Sequence, residues 1–174
     1  MGDSAMTIAA IFIAAILMFV FPLMTMADKN DDVAQLSAQK ATTEFVNMVR
    51  NTGKLTQDGY DNLVEALAAT GNSYDVEMSI QHSDVNPAKK ATHGKQTIGD
   101  NVYYTDYTTQ ILDNLASSEK KYIPLKEGDI ISVKVQNTNT TIATQLRNFI
   151  YKVTGNGDKT ITASESGMVT TTGN

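Results

Sequence analysis

SAMTIAAIFIAAILMFVFPLMTMA, residues 4–27, is a run without a charged side chain near the start of this 174-residue chain. A helix of this length would reach about 36 Å, since each residue adds about 1.5 Å. Because the hydrocarbon core of a bilayer is roughly 30 Å thick, the run predicts a membrane-spanning helix over residues 4–27. Pro22 lacks an amide hydrogen and is expected to kink this helix, or to unwind it locally, between Met18 and Pro22.

A cleaved secretory signal is the alternative interpretation of the same run. Signals normally begin with basic residues and have a shorter apolar core, whereas the only charge ahead of this run is that of Asp3. Thr25-Met26-Ala27 could serve as a cleavage site, and cleavage after Ala27 would leave a secreted protein. Beyond the run, Lys29 lies among three aspartates, so the positive-inside rule does not fix the orientation.

Composition excludes several functional classes for the rest of the chain. The remaining residues, about 145, suit one compact domain. The chain has no cysteine, which excludes a disulfide framework, a thiolate metal site and a cysteine nucleophile. Its net charge is -5 and its basic residues are scattered, which argues against non-specific binding to nucleic acid or to anionic lipid. We therefore expect no nucleic-acid partner.

The helix is expected to continue beyond the apolar run. Residues 28–50 are mostly good helix formers without glycine or proline, and Asn51-Thr52-Gly53 provides a stop signal. One face stays apolar through this extension because apolar residues recur at helical spacing. They are Ala34, Ala38, Ala41, Phe45, Met48 and Val49. The chain therefore divides into an apolar helix (1–27), a helical extension (28–52) and a globular head (53–174).

The head alternates between helical and strand periodicity. Apolar residues at helical spacing predict three amphipathic helices, with Thr56 or a neighbour as the N-cap of the first and Thr140 or Thr141 as the N-cap of the last. These helices cover residues 60–68, 104–115 and 142–153, although Val102-Tyr103-Tyr104 is also compatible with a strand.

Alternating apolar and polar residues predict three strands in the same part of the chain. They are residues 74–82, 131–135 and 160–163, the last with Met168 and Val169 as a candidate continuation. The polar segment from Ser83 to Asp100 predicts a long exposed loop, and Asn156-Gly157-Asp158 predicts a turn. The predicted fold class is α+β: a long apolar helix extending into a small head with an antiparallel sheet of three or more strands and two to three amphipathic helices.

The sequence contains no convincing catalytic, cofactor or metal site. His82 lies on the apolar face of its predicted strand and His93 lies in the predicted loop, and neither has carboxylates at metal-ligand spacing. Asp75 and Glu77 project together from one strand face without a partner acid in an apolar setting. Neither a serine-nucleophile turn nor a phosphate-binding glycine loop is present. We therefore expect a protein that is not an enzyme and needs no cofactor.

This layout resembles the type IV pilins and pseudopilins. Two blocks, TGKLTQDGYDNLVEALAATGNSYDVEMSIQH (residues 52–82) and EGDIISVKVQNTNTTIATQLRNFIYKV (residues 127–153), look like the head of tight-adherence-type pilin-like proteins of Gram-positive bacteria. The resemblance implies a structural subunit whose apolar helices bundle in a filament core while the heads face outward.

The resemblance also implies processing of the N-terminus and a role for proline. In that family a prepilin peptidase removes a leader after a glycine, and Gly2 is the candidate here. The family usually places a glutamate at the fifth mature position, whereas this chain has Thr7 there if it begins at Asp3, and Ala5 if it begins at Met1. Pro22 matches the family's proline near the end of the apolar helix.

Helix packing is the interaction that the apolar run predicts. In lipid, association of helices depends on close packing of small residues, and in water the same surface would be driven together by burial of apolar area. The candidate packing residues are Ala9, Ala10, Ala14, Ala15, Phe19 and Pro22.

The leading hypothesis is a filament subunit that associates with itself or with other pilin-like subunits. It would be held in the cell membrane through residues 4–27 before assembly and lie at the cell surface afterwards. The alternative is a monomeric, membrane-anchored extracellular binding module. The loop from Ser83 to Asp100 and the threonine-rich C-terminal end are the candidate contact surfaces of the head, on grounds of exposure.

Overall fold

The computed structural model describes residues 2–83, 103–151 and 160–173, without the side chains of residues 2, 3 and 149–151. Most of the predicted loop from Ser83 to Asp100, His93 and the predicted turn at Asn156-Gly157-Asp158 lie outside the described residues. Within these described residues, ten elements follow one another along the chain. In order they are α1 (Gly2–Thr52), β1 (Lys54–Thr56), α2 (Gln57–Ala68), β2 (Tyr74–Ser83), β3 (Tyr103–Tyr107), α3 (Thr108–Ser117), β4 (Tyr122–Pro124), β5 (Ile130–Asn137), α4 (Ile142–Tyr151) and β6 (Thr162–Met168).

The predicted fold class is confirmed: a long apolar N-terminal helix leads into an α+β head. The helix α1 continues through Pro22 to Thr52, so the expected local unwinding between Met18 and Pro22 does not occur. Pro22 leaves the carbonyl of Met18 without its helical amide donor, which a membrane helix can accommodate when neighbouring groups bond to that carbonyl. One turn further along, the Thr25 hydroxyl donates a hydrogen bond to the carbonyl oxygen of Phe21.

Two antiparallel sheets form the framework of the head. The larger sheet has the strand order β3-β2-β5-β6, and the smaller one pairs β1 with β4. Neighbours in the larger sheet are all antiparallel, with Ile80 opposite Ile131 and Val135 opposite Ala163. The inward-facing side chains of these strands are apolar, as the alternation in the sequence predicted.

The core of the head lies between the larger sheet and the part of α1 beyond residue 28. This part of α1 contributes the predicted apolar face, in which all but the half-buried Met48 are buried, together with the buried Val46. The sheet contributes Met78, Ile80, Ile131, Val133, Val135 and Ala163. The helical extension is therefore part of the core of the head and not a separate stalk.

Helix boundaries follow the predicted capping signals. The Thr56 hydroxyl accepts a hydrogen bond from the amide of Gly59 at 3.1 Å and caps α2. Thr141 caps α4 in the same way, accepting from the amide of Thr144 at 3.2 Å. Gly53 ends α1 with a φ of 65°, a conformation that glycine adopts without steric cost.

One helix prediction is wrong at its start. Residues 103–107 form strand β3. Tyr104 and Tyr107, whose spacing predicts the start of the second amphipathic helix, therefore lie in the strand. The competing interpretation of Val102-Tyr103-Tyr104 as a strand is the correct one for the residues described. Tyrosine is common in strands because its ring packs well against cross-strand neighbours, and here β3 pairs with β2 along its whole length.

Candidate assembly surface on the N-terminal helix

The first half of α1 does not pack into the core of the head. The side chains from residue 4 to residue 19 are all exposed. The helix is long and apolar enough to cross a membrane, with a mean hydropathy of 2.6 in its most apolar window, although a signal sequence near the N-terminus has the same properties. A helix that is apolar on every side needs lipid or other protein around it.

Five of the six predicted packing residues lie on two strips of this helix. At about 100° per residue, Ala10 and Ala14 are neighbours on one strip, and Ala15, Phe19 and Pro22 are neighbours on a second strip. Ala9 is roughly 100° away from both. All six residues are exposed, so α1 offers each of them to a partner.

The second strip continues past the apolar run. Met26, Val33 and Leu36 follow Phe19 and Pro22 at helical spacing, and they are 68%, 63% and 71% exposed. Val33 and Leu36 belong to the helical extension, where other apolar side chains of α1 are buried against the head. We call the set Ala15, Phe19, Pro22, Met26, Val33 and Leu36 the outer strip.

The outer strip lies off the buried side of α1. The buried side is marked by Ala34, Ala38 and Phe45, which are in the core. At about 100° per residue, the residues of the outer strip lie roughly 60 to 180° around the helix axis from those positions, and about 120° on average. A second helix could therefore run along α1 from Ala15 to Leu36 beside the head.

A recess borders the outer strip above the apolar run. It has a volume of about 200 Å³ and lies between α1 and the end of α2. On α1 it is lined by Asn30, Val33, Ala34 and Ser37, and on the α2 side by Ala66, Ala69 and Thr70. Mostly small side chains leave this space open, and a protruding side chain of a packed partner would fill it.

Sequence reasoning missed Val33, Leu36 and the recess. The apolar spacing in residues 28–50 was assigned to a single buried face, and these two residues lie off that face. Their signal in the sequence is heptad spacing: Val33 follows Phe19 and Met26 at this spacing, and Leu36 follows Pro22 with Lys29 between them, so the stripe continues past the apolar run with one charged residue in it.

Gly2 is the first residue of α1. This position does not test processing, so cleavage after Gly2 stays a prediction.

The candidate contact surface at the C-terminal end is exposed, and hydrogen bonds attach it to the rest of the head. The Thr170 hydroxyl donates to the Arg50 carbonyl oxygen at 3.1 Å, and the Thr172 hydroxyl accepts from the amide of Glu127 at 3.2 Å.

His82 lies in a polar cluster at the end of β2. Its Nδ1 is 2.9 Å from Oδ2 of Asp129, its Nε2 is 3.5 Å from Oδ2 of Asp106, and its ring stacks on Tyr104 with centroids 4.9 Å apart. Asp129 also accepts from the backbone amides of Lys126 and Ser83. These contacts close the turn before β5 and join it to β2, which is a structural role.

The other candidate groups also have structural partners or open surroundings. Glu77 pairs with Lys134 at 3.1 Å across two strands, with both side chains about half exposed or more. Within the described residues, no three histidine, aspartate or glutamate side chains converge in a way that could hold a metal ion.

A second depression lies on the head between α2, α3 and the start of β2. It has a volume of about 500 Å³ and is lined mainly by apolar and aromatic side chains, among them Tyr60, Val64, Tyr74 and Leu112. Burial raises the pKa of the Tyr60 hydroxyl above its usual value, and the nearby charges of Asp61 and Asp75 raise it further. This groove is the head's candidate for binding a small or extended ligand.

Comparison with known proteins gives no family for this chain: no family, no curated protein and no solved structure matches it.

Proposed function

We propose that this protein is a structural subunit of a surface filament, of the pilin or pseudopilin kind. Its apolar helix lies in the filament core and its head faces outward, and its partners are further copies of itself or other pilin-like subunits. Before assembly, residues 4–27 hold it in the cell membrane. The proposal assigns no catalytic group, no cofactor and no nucleic-acid partner.

The continuation of the outer strip beyond the apolar run is the observation that carries this proposal. Leu36 follows Ala27 by nine residues, which is about 14 Å along a helix. The headgroup layer extends only roughly 5 to 7 Å beyond the hydrocarbon on each side. Lipid around residues 4–27 would therefore leave the side chain of Leu36 in water, whereas a neighbouring helix would cover it.

In a filament, protein covers the whole outer strip. Phe19 and Met26 can pack on lipid in the membrane, but in a filament outside the membrane they must pack on protein. Burial of apolar surface from water contributes about 25 cal/mol per Å², so extraction into water without partners would be strongly unfavourable. Assembly and withdrawal from the membrane are thereby coupled.

Recovery of the intact chain outside the membrane tests the proposal. Fluid sheared from whole cells is examined for filaments by electron microscopy, and the intact mass of the protein in it is measured. A filament subunit still carries residues 4–27 in this fraction. A chain that begins near Asp28 would show that the apolar run was a signal, and the proposal would fall.

A substitution in the outer strip tests the packing itself. Leu36→Glu places a carboxylate in the proposed helix contact without touching the core of the head, so we expect filament yield to fall by about tenfold or more. Pro22→Ala and Ala14→Leu are expected to disturb assembly in the same direction. Met168→Glu is the matched control, because Met168 is also exposed, at 52%, but lies on β6. Normal filaments from Leu36→Glu would contradict the proposal.

The groove on the head favours a second candidate, a monomeric anchored binding module. Its volume of about 500 Å³ and its aromatic lining are typical of ligand sites. Replacing residues 4–27 by an unrelated apolar helix separates the two candidates. A binding module would keep its function after this replacement, whereas a filament subunit would no longer assemble.

A further inference from the structure

Helix α4 is attached to α1 at the point where the apolar run ends. The Thr141 hydroxyl donates a hydrogen bond to Oδ2 of Asp31 at 2.8 Å, and both residues are buried. One turn and a half along α4, the guanidinium of Arg147 forms an ion pair with the carboxylate of Asp28. These two contacts hold α4 against the first turn of α1 after residue 27.

This attachment places α4 at the depth of the lipid headgroups. Asp28 directly follows Ala27, and Asp31 is four residues beyond Ala27, which is about 6 Å along a helix. The headgroup layer is roughly 5 to 7 Å thick on each side of the hydrocarbon. When residues 4–27 span a bilayer, α4 therefore lies beside the membrane surface.

The face that α4 turns outward carries both apolar and polar side chains. Ala143 and Thr144 are buried against the protein, whereas Ile142 is 71% exposed, Gln145 and Asn148 are exposed and Leu146 is partly exposed. In a helix that borders water, the apolar side chains are expected to point inward. Ile142 and, in part, Leu146 depart from this rule on one side of α4, next to polar residues, as expected of a helix at the boundary between headgroups and acyl chains.

The charges of α4 are compatible with that environment. Arg147 is the single charged residue between Ile142 and Tyr151, and it is paired with Asp28. Each of these charges alone would be unfavourable close to the hydrocarbon, and the pair neutralises both. The net charge of -5 on the chain means that anionic lipid would not attract this surface.

We propose that α4 lies on the bilayer that holds its own α1, with Ile142 and Leu146 at the boundary between headgroups and acyl chains. This inference rests on the membrane-held state of the proposed function. The occupant of the outer face of α4 is the acyl and headgroup boundary of an uncharged bilayer. The head then stands on the membrane at a fixed orientation through two attachments, α1 and α4.

Tryptophan fluorescence can test this contact because the chain has no tryptophan of its own. The full chain with Ile142→Trp is reconstituted in phosphatidylcholine vesicles, with and without bromine on the upper part of the acyl chains. We expect bromine to reduce the emission by about twofold or more, as for a side chain at the acyl boundary. Circular dichroism of the variant confirms that it is folded.

Two further variants make the result decisive. Met168→Trp is the matched exposed control: the Met168 carbonyl accepts from Nε of Arg50 at 3.0 Å, and Arg50 is about 33 Å along α1 from Asp28. It should not be quenched. The tryptophan of Phe19→Trp lies within the apolar run, so bromine should quench its emission whenever α1 is inserted in the bilayer.

The pattern of quenching distinguishes the possible failures. If Phe19→Trp is quenched and Ile142→Trp is not, α1 is inserted but α4 is off the membrane, and the inference is overturned while the membrane-held state survives. If neither is quenched, the membrane-held state fails and the inference fails with it. Blue-shifted emission from Ile142→Trp that bromine does not quench would mean that a second copy covers α4, which also overturns the inference.

Discussion

The two halves of α1 have opposite relations to the rest of the chain. From Asp28 to Thr52, one face of the helix is buried in the head, including Ala38 and Val46, both fully buried. From Ser4 to Phe19, every side chain is exposed. One half of this unbroken helix is thus buried by its own chain, whereas the other half can be buried only by lipid or by other protein.

The difference shows what each half contributes. The covered half is ordinary protein core, because large and small apolar residues alternate with polar ones and the head supplies the matching surface. The uncovered half is apolar on all sides, a pattern that is stable only in lipid or within a bundle of other helices. Stability of the head and association of subunits are therefore expected to respond to different residues of one helix.

The largest expected effect comes from a charge placed on the covered face. Val46→Asp buries an unpaired carboxylate in the core of the head, and we expect the free energy of unfolding to fall by about 4 kcal/mol or more. Val33→Asp makes the same change on the outer strip, and it should alter the free energy of unfolding by no more than about 0.5 kcal/mol. Urea denaturation of the full chain in mild detergent, followed by tyrosine fluorescence, measures both.

The two variants test whether the buried face and the outer strip of the helical extension differ as described. Equal destabilisation by Val33→Asp and Val46→Asp would mean that the outer strip is part of the folded core. In that case the outer strip would not be available to a second subunit, and the distinction between the two faces of the extension would be lost.

Much of the covered half could be predicted from the sequence, because its signals are local. The apolar spacing of the extension, the glycine stop at Gly53 and the Thr56 and Thr141 caps depend on neighbours within a few residues. Strand β3 could be predicted only as an alternative to a helix, because its tyrosines fit both periodicities over so short a segment, and pairing with β2 decided between them. The short strands β1 and β4 have no periodicity of their own and depend on each other.

The candidate surface was harder to predict for a different reason. The packing residues in the apolar run were identified by composition, but their division into two strips follows from helix geometry. The exposure of Val33 and Leu36 depends on where the head sits, which is a tertiary property. The position of α4 beside Asp28 and Asp31 is likewise set by contacts between residues more than 100 positions apart.

A second effect should arise where the covered half ends. A methyl group at Gly53 would overlap the backbone of Thr171 and Gly173, and the φ of 65° is itself unfavourable for alanine. We therefore expect Gly53→Ala to lower the free energy of unfolding by about 3 kcal/mol or more. Gly71→Ala is the control, since Gly71 also has a positive φ but open space around it, and it should cost only about 1 to 2 kcal/mol.

Thermal and urea denaturation of the two glycine variants would sharpen the comparison. A large loss at Gly53 alone would show that the C-terminal segment closes over the end of α1 and helps to hold its covered half in the head. Equal losses at both positions would mean that backbone conformation accounts for the effect and that the close approach of Thr171 contributes nothing.

The smallest expected effect is a pH dependence at Tyr60, on the helix α2 that packs against the covered half of α1. Burial, followed by the charges of Asp61 and Asp75, raises the pKa of the Tyr60 hydroxyl in the folded protein. As pH rises past the ordinary value of about 10, the unfolded chain loses this proton first, so stability falls with pH. Below that pH both states keep the proton, and Tyr60 adds no pH dependence.

Tyr60→Phe should remove this alkaline loss. The difference in free energy of unfolding between wild type and variant is expected to be constant from pH 7 to about 9 and then to shift in favour of the variant. A curve for Tyr60→Phe that runs parallel to the wild type throughout would contradict this prediction, because it would mean that the folded protein leaves the Tyr60 hydroxyl in water.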